Sequence, residues 1–150
     1  MTKKQLTFKE AVESTLDIAT SYKIRLIALG QYSNKVSVRD TRLLGGSVDI
    51  DACTAAKYPD ANRWDYALAH NQKIYFVEIH PAITSEVSTM LKKLRWLKNW
   101  LNDHAPEINK LKAEQPYYWV QSGKCAILKG SNQERKIAQE KLKPVACLNL

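Results

Sequence analysis

Residues 63–82, RWDYALAHNQKIYFVEIHPA, decide the fold that this sequence predicts. Two runs of strand-forming residues flank a short polar connection, which is the pattern of a β-hairpin. The second run is apolar on both faces apart from Glu78, as in a strand that is covered on two sides. Pro81 cannot donate a hydrogen bond to a β-ladder and therefore ends that strand.

The length of the hairpin loop decides where the acidic side chains point. An even loop, either His70-Asn71 or residues 69–72, places Asp65 opposite Phe76. Side chains alternate along a strand, so Asp65 and Glu78 then share a face as diagonal neighbours, with Cβ atoms roughly 7 Å apart. Two such carboxylates can hold one hard cation between them. An odd loop would place the two acids on opposite faces and remove this hypothesis.

Two carboxylates that converge on one face repel each other, and a cation, a basic neighbour or solvent must offset that repulsion. The alternative interpretation is that Asp65 and Glu78 are simply hydrated. An acid at the end of a strand that is covered on two sides is poorly placed for free hydration, so the functional interpretation is favoured. His80 lies on the same face as Glu78 and joins the candidate site.

The composition is that of a soluble globular protein. The chain has 150 residues, of which 45% are hydrophobic and 25% charged, and a single domain over residues 1–150 is predicted. The N-terminus lacks the apolar segment of a signal peptide and no later run is long enough to span a bilayer, so no membrane partner and a cytoplasmic location are expected. Cys53, Cys125 and Cys147 form no CxxC pair, which gives no indication of a disulfide framework or a zinc site.

The formal net charge of +8 favours a polyanionic partner such as nucleic acid. The net charge of the protein predicts the sign of the partner's charge but does not identify the partner. The sequence has no GxxxxGKS/T loop and no GxGxxG, HExxH or GxSxG motif. The usual signs of nucleotide hydrolysis, dinucleotide chemistry, zinc proteolysis and serine hydrolysis are therefore missing.

A capping box from Thr7 to Glu10 opens the first predicted helix. Apolar residues recur at helical spacing from about residue 8 to residue 22, which indicates an amphipathic helix. Residues 23–30 are apolar enough to prolong this helix or to form a second element, and a helix is favoured. Glu13 lies away from the centre of the apolar stripe. A solvated helix face is the favoured interpretation of Glu13, and a supporting role near the acidic site is the alternative.

A further strand is predicted over residues 47–52, after the break at Gly45-Gly46. Asp49 and Asp51 lie on one face of this strand. Because the strand is close to the hairpin in sequence, it could pair with the hairpin and supply Asp49 or Asp51 as a reserve metal ligand. A water-facing strand edge is the equally weighted alternative.

A long helix is predicted after the hairpin, from an N-cap at Thr84 to about His104. Its core stripe consists of Val87, Met90, Leu91, Leu94, Leu97 and Leu101. Away from this stripe lie the basic, polar and aromatic side chains of Lys92, Arg95, Trp96 and Asn99. Such a mixture can contact a phosphate backbone or stack on an unpaired base. Packing of Trp96 against another part of the chain or a second protomer is the favoured alternative, so a homodimer is a further option.

Three more elements complete the chain. Residues 116–121 and 124–128 are rich in strand formers and form one interrupted strand or a hairpin. Ser131–Glu134 is a second capping box and begins a helix that must end before Pro144. Residues 145–150 are predicted to be a final short strand.

The predicted order, α-β-β-β-α-β-α-β, indicates an α/β fold with a mixed β-sheet flanked by helices. Within it, Asp65, twelve intervening residues and then Glu78-Ile79-His80, followed at once by a helix, resemble the PD-(D/E)xK restriction-endonuclease-like superfamily. The order of elements over most of the chain agrees with the core of that family. The resemblance therefore implies a restriction-endonuclease-like fold and a metal-dependent nuclease domain.

The resemblance also implies roles for individual residues. Asp65 and Glu78 match the two metal-binding acids, and the backbone carbonyl of Ile79 is a further ligand. The implied cofactor is Mg²⁺ or Mn²⁺, which acts on phosphodiesters through a metal-activated water. The optional helix acid of the family corresponds to Glu10 or Glu13.

Two departures from the family pattern concern the motif itself. Asp65 follows Arg63-Trp64, although Pro59-Asp60 lies nearby. His80 stands where the family usually has a catalytic Lys. A protonated His80 could hold the same positive charge, and a neutral His80 could act as a base. It could equally bind a borderline metal ion such as Mn²⁺ or merely end the strand.

The function predicted from the sequence is a metal-dependent nuclease, with DNA favoured over RNA as the substrate. The first alternative is a member of the same fold that has lost catalysis and binds nucleic acid or a protein partner. The second is a small structural or interaction protein in which the hairpin acids are incidental and Trp96 is an interface anchor.

Overall fold

The computed structural model describes residues 5–123 and 126–150. Its helices and strands are, in chain order, α1 (Phe8–Glu13), β1 (Val36–Ser37), β2 (Leu44–Asp49), α2 (Ile50–Thr54), β3 (Tyr66–His70), β4 (Lys73–His80), α3 (Val87–Asp103), α4 (Pro106–Lys110), β5 (Lys112–Gln121), α5 (Asn132–Gln139), β6 (Leu142–Val145) and β7 (Leu148–Asn149). Short 3₁₀ segments span Leu16–Ile18, Ile27–Lys35, Thr41–Leu43 and Thr84–Glu86.

Five strands form the main sheet, in the order β2-β3-β4-β5-β6. β3 runs antiparallel to β2 and β4, whereas β4, β5 and β6 run parallel to one another. β1 and β7 pair separately in a small parallel sheet. With the short helices α2 and α4 set aside, the helices and main-sheet strands follow the predicted order. The prediction of an α/β fold with a mixed sheet flanked by helices is confirmed.

Both faces of the main sheet are buried. The larger core joins one face of the sheet to α1 and α3 and includes Phe8, Phe76, Leu94 and Trp119. The smaller core covers the opposite face and includes Leu29, Val36, Val77, Ile79 and Leu148. β4 is therefore covered on two sides, as its sequence predicts, and the carboxylate of Glu78 must find its partners inside the protein.

The hairpin closes through a two-residue turn, Asn71-Gln72, because His70 pairs with Lys73. Both turn residues have positive φ, 49° and 66°, which is the conformation of the type I′ turns that suit two-residue hairpins. The two predicted loops, His70-Asn71 and residues 69–72, are therefore wrong. The sequence carries no Asn-Gly signal that would have located this turn.

The observed turn shifts the predicted register by two residues. Tyr66 pairs with Val77, and continuing this register by one residue places Asp65 opposite Glu78 itself. The predicted pairing of Asp65 with Phe76 is wrong. The loop is nevertheless even, and the acids keep the relationship that the hypothesis requires, because a shift of two residues preserves the face of every side chain.

The first helix is much shorter than predicted. α1 begins with the predicted capping box but ends at Glu13. The hydroxyl groups of Ser14 and Thr15 both donate to the carbonyl of Ala11, each at 2.8 Å, and so compete with further helical hydrogen bonding. Leu16, in the second half of the predicted helix, is 86% exposed.

The predicted helix over residues 23–30 is also wrong. Lys23 forms an isolated antiparallel bridge with Ser47 of β2, with backbone hydrogen bonds in both directions. A 3₁₀ segment follows from Ile27 and is interrupted at Gly30, which has a positive φ of 53°. Pairing of Lys23 with β2, followed by a turn in which Arg25 has a positive φ of 47°, prevents a continuous helix here.

The predicted strand over residues 47–52 ends early. β2 ends at Asp49, and α2 begins at the next residue because the Asp49 carboxylate accepts a hydrogen bond from the N–H of Ala52 at 2.9 Å. Asp51 thus lies in the first turn of a helix. The two acids do not share the face of one strand as predicted.

The long helix after the hairpin begins later than predicted, at Val87. The Thr84 hydroxyl does not cap it; this hydroxyl donates to the carbonyl of Ala126 at 3.2 Å and accepts from the N–H of Leu128 at 3.1 Å. The buried residues of α3 are Val87, Met90, Leu94, Leu97, Trp100 and Leu101. Within the described residues, no helix has the length and apolar character needed to cross a membrane.

The C-terminal elements differ from the prediction in their bounds. β5 extends from Lys112 to Gln121 and lies between two parallel neighbours. Its register with β4 shifts between the pairs Ile74–Lys112 and Phe76–Tyr117. After β5, Ala126 forms an isolated parallel bridge to Ile83, and Lys124 and Cys125 lie outside the described residues. The helix α5 begins at its predicted cap, but the predicted strand over residues 145–150 is divided between β6 and β7.

Candidate active site at the end of the β3–β4 hairpin

Asp65 and Glu78 form hydrogen bonds across the open end of the hairpin. Each carboxylate accepts a bond from a backbone N–H on the other side. Glu78 Oε1 accepts a hydrogen bond from the N–H of Asp65 at 3.0 Å. Asp65 Oδ2 accepts one from the N–H of Ile79, also at 3.0 Å. The structure thus brings the two predicted acids together, and each carboxylate is held by the backbone of the opposite strand.

The acid pair lies in a poorly solvated environment. Glu78 is only 1% exposed, and burial together with the charge of Asp65 raises the pKa of Glu78 to about 8, although Lys93 opposes this rise. Burial also raises the pKa of Asp65, and the charges of Asp51 and Asp49 add to the effect. Ionisation of both carboxylates is therefore unfavourable without a further positive charge, and a bound cation would stabilise their charged forms.

Lys93 of α3 supplies a positive charge that the sequence analysis missed. Its Nζ lies 3.0 Å from Glu78 Oε2 and donates a hydrogen bond to the carbonyl of Arg63 at 3.2 Å. Its side chain is only 18% exposed. Lys93 follows Met90 by three residues and precedes Leu97 by four, so it lies at the edge of the buried stripe. A lysine at the edge of an apolar stripe is the sequence feature from which this half-buried charge could have been predicted.

His80 lies between two carboxylates. Its Nε2 is 2.9 Å from Glu86 Oε2, and its Nδ1 is 3.7 Å from Glu78 Oε2. The indole N–H of Trp119 donates to the backbone carbonyl of His80 at 3.0 Å. His80 is therefore held within the site, and its closest polar contact is with Glu86.

Of the predicted supporting acids, Asp51 lies near the pair. Arg63 Nε donates to Asp51 Oδ1 at 2.8 Å, and the backbone N–H groups of Ile50 and Asp51 donate to the carbonyl of Asp65 at 2.8 Å and 3.3 Å. Asp49 is the N-cap of α2, and its pKa is raised by burial and by the charge of Asp51. The beginning of α2 therefore adds negative charge beside the acid pair.

The other two supporting candidates, Glu10 and Glu13, lie on α1. Glu10 Oε1 accepts a hydrogen bond from the N–H of Thr7 at 3.0 Å and completes the capping box. Glu13 is exposed and pairs with Lys9 at 3.6 Å. Neither acid is among the charges that shift the pKa of the acid pair. The structure does not bring them to the site.

The predicted nucleic-acid-binding residues of α3 differ in their exposure. Lys92, Arg95 and Asn99 are exposed and line grooves beside the helix. Trp96 is partly buried by its own chain. Its ring stacks on Trp100 with centroids 5.8 Å apart and meets the ring of Tyr58 edge to face at the same distance. The alternative that Trp96 packs against another part of the chain is confirmed.

The donor set of the acid pair suits a hard divalent cation. Among residues 5–123 and 126–150, no three His, Cys, Asp or Glu side chains are arranged to hold a metal ion. Mg²⁺, however, commonly binds through one or two carboxylates and keeps several waters. Asp65 and Glu78, two converging carboxylates with raised pKa values, fit this mode of binding.

Comparison with known proteins identifies no related protein. The chain matches no protein-family model, and neither the curated proteins nor the solved structures include a significant match. The chemistry of the site is therefore argued from its own residues.

Proposed function

We propose that this protein is a metal-dependent nuclease that hydrolyses nucleic-acid phosphodiesters, with DNA favoured over RNA. One observation carries the proposal. Asp65 and Glu78 are held together by hydrogen bonds across the hairpin, and the ammonium group of Lys93 contacts Glu78. The order of helices and strands, which agrees with a restriction-endonuclease-like core, supports the same assignment. The net charge of +8 suits a polyanionic substrate.

The carboxylates of Asp65 and Glu78 and the carbonyl of Ile79 would hold the cation, Mg²⁺ or Mn²⁺. Such a cation, when bound, stabilises charge on a phosphoryl oxygen and lowers the pKa of a coordinated water. The protein's contribution is to fix both carboxylates through backbone N–H groups and to keep the site poorly hydrated. Both effects strengthen electrostatic interactions at the place where charge develops.

Lys93 would supply the positive charge that the PD-(D/E)xK motif obtains from the Lys two residues after its second acid, where this chain has His80. Its ammonium group is held between Glu78 and the carbonyl of Arg63, so a positive charge is fixed beside the acid pair. A fixed cation stabilises the negative charge that accumulates on a phosphodiester during hydrolysis. His80, bonded to Glu86, acts as a positioning residue for the Glu78 carboxylate.

The first test is calorimetric titration with Mg²⁺ and Mn²⁺, followed by plasmid cleavage on the same samples. Asp65→Asn and Glu78→Gln replace each carboxyl group by an amide of nearly the same size, which cannot ionise to bind the cation. Their matched controls are Asp60→Asn, which alters the exposed acid of the nearby Pro-Asp pair, and Glu107→Gln, which alters a partly exposed acid paired with Lys110.

The expected result is metal-dependent cleavage in the wild type and in both controls, with a loss of at least 10²-fold in the two site variants. Metal binding without cleavage in the wild type would overturn the enzymatic proposal and support a catalytically inactive binding module. Absence of metal binding would overturn the metal site itself and support a structural or interaction protein.

A further inference from the structure

Three basic side chains line a groove between α3 and α5. Two of its cations, Lys92 and Arg95, belong to α3, and the third, Lys136, belongs to α5. The other residues that line it are Thr84, Ser85, Val87, Ser88, Leu91 and Gln133. Among the described residues, no acid lines this part of the surface, which we call the α3–α5 groove.

The three cations of the α3–α5 groove are not neutralised by close ion pairs within the described residues, although the pKa of Glu140 is lowered chiefly by Lys98 and to a smaller extent by the charge of Arg95. All three residues are exposed, and within residues 5–123 and 126–150 none of them forms an ion pair. Like charges that face one groove repel each other, and a bound anion offsets this repulsion. The groove therefore has the electrostatic character of an anion-binding surface.

The shape of the surface favours an elongated anion. A second groove segment shares Leu91, Arg95 and Lys136 with the first, and a third shares Lys98, Gln139 and Glu140 with the second. The segments thus follow α3, whose 17 residues span about 25 Å at 1.5 Å per residue. A single small anion would fill only one segment, whereas a polymer of phosphates matches their length.

The part of this surface that retains free positive charge lies beside the candidate active site. Lys98, farther along α3, is already paired with Glu140 at 2.9 Å. Lys92 precedes Lys93 in the chain, and residues one apart on a helix point about 100° from each other. The groove and the acid pair therefore lie on two faces of the same turns of α3.

The turn before α3 also connects the two surfaces. Ser85 lines the α3–α5 groove, and the next residue, Glu86, holds His80 at 2.9 Å. A nucleic-acid strand with one phosphate at the acid pair can therefore pass over this turn and place later phosphates in the groove.

We propose that the α3–α5 groove binds the phosphate backbone of duplex DNA beside the Asp65–Glu78 pair, an inference that rests on the proposed nuclease function. The guanidinium of Arg95 can bind two phosphate oxygens at once, and Lys92 and Lys136 act as point charges. These contacts position DNA and do not read its sequence. Trp96 packs on Trp100 and Tyr58 and does not line the α3–α5 groove.

The test is fluorescence anisotropy of a labelled 20-base-pair duplex with the full chain, in EDTA and over a range of salt concentrations. The groove variant combines Lys92→Gln, Arg95→Gln and Lys136→Gln. Its control combines Arg39→Gln, Lys73→Gln and Lys143→Gln, which removes the same charge from exposed residues that do not line the groove.

The groove variant should bind on the order of 10²-fold more weakly at 0.1 M salt, and the slope of log K against log salt should fall by about 3. The control should stay close to the wild type. Thermal melts must show that both variants fold. Equal losses in the two variants, or none in the groove variant, would overturn the proposal.

The same samples separate this proposal from the proposed function. If the groove variant loses DNA binding while the wild type cleaves no DNA with any divalent metal, the groove proposal stands and the nuclease proposal fails. If the wild type cleaves DNA in a metal-dependent reaction while the groove variant binds normally, the nuclease proposal stands and the groove proposal fails.

Discussion

The ammonium group of Lys93 lies 3.0 Å from Oε2 of Glu78 and joins the middle of α3 to the buried acid of the hairpin. Both side chains are largely excluded from solvent, at 18% and 1% exposure. Removal of either partner should destabilise the protein, because it leaves the other as an uncompensated polar group in the interior.

Lys93→Gln should abolish most of the cleavage activity. Loss of a fixed charge at a developing phosphoryl charge costs about 10²-fold to 10³-fold in rate. His80→Gln should cost less, because the shortest contact of His80 is with Glu86. Single-turnover cleavage rates at saturating Mg²⁺ measure both effects. Lys110→Gln, at an exposed lysine paired with Glu107, is the matched control. A larger loss in His80→Gln than in Lys93→Gln would contradict the assignment.

The stability of the metal-free protein should fall as pH rises toward 8. Burial raises the pKa of Glu78 from 4.5 to about 8, so between these values the folded state keeps a proton that the unfolded state has lost. The resulting stabilisation is complete below pH 4.5 and is lost as pH rises through about 8. The change is on the order of a few kcal/mol, since one pKa unit corresponds to about 1.4 kcal/mol.

Urea unfolding in EDTA at a series of pH values measures this dependence. Glu78→Gln should flatten the curve between pH 5 and 8, because it removes the titrating group. Glu107→Gln should keep the slope of the wild type. An unchanged slope in Glu78→Gln would mean that Glu78 is not the source of the pH dependence.

Divalent metal affinity should increase with pH up to about 8. Protons and the metal compete for Glu78, and a group with a pKa of about 8 must release its proton when the metal binds. Below that pKa, the affinity for Mg²⁺ should weaken by up to about tenfold for each pH unit. Calorimetry in two buffers of different ionisation enthalpy would detect the released proton. Affinity that is the same at pH 6 and pH 8 would exclude direct binding by Glu78.

Gly46→Ala should destabilise the protein by about 1–3 kcal/mol. Gly46 has a φ of 122°, and an added Cβ would overlap the ring of Tyr22, whose hydroxyl donates to the carbonyl of Gly45 at 2.9 Å. Gly123→Ala is the control, because a Cβ at Gly123 meets no atom within 4 Å. Equal unfolding midpoints in urea for the two variants would contradict this prediction.

The order of the main elements and the hairpin could be read from the sequence because their signals are local. The β-strand runs on either side of Asn71-Gln72, the stop at Pro81 and the cap at Ser131 each act within a few residues. The N-terminal helix is shorter than predicted for one local reason and one long-range reason. Hydrogen bonds from Ser14 and Thr15 and pairing of Lys23 with β2 outweighed an apolar periodicity that favoured a helix.

The sequence by itself determined the hairpin and left two arrangements of Asp65 and Glu78, because side chains alternate along a strand: one face with an even loop, opposite faces with an odd loop. The structure has the even loop, Asn71-Gln72. Only the tertiary structure decided that Lys93 joins them and that Glu10 and Glu13 do not. The reason is physical: the rotation of α3 about its axis is set by packing of its apolar stripe on the sheet. That packing directs Lys93 toward Glu78. The sequence places Lys93 at the edge of the apolar stripe but does not determine which strand residue that edge faces.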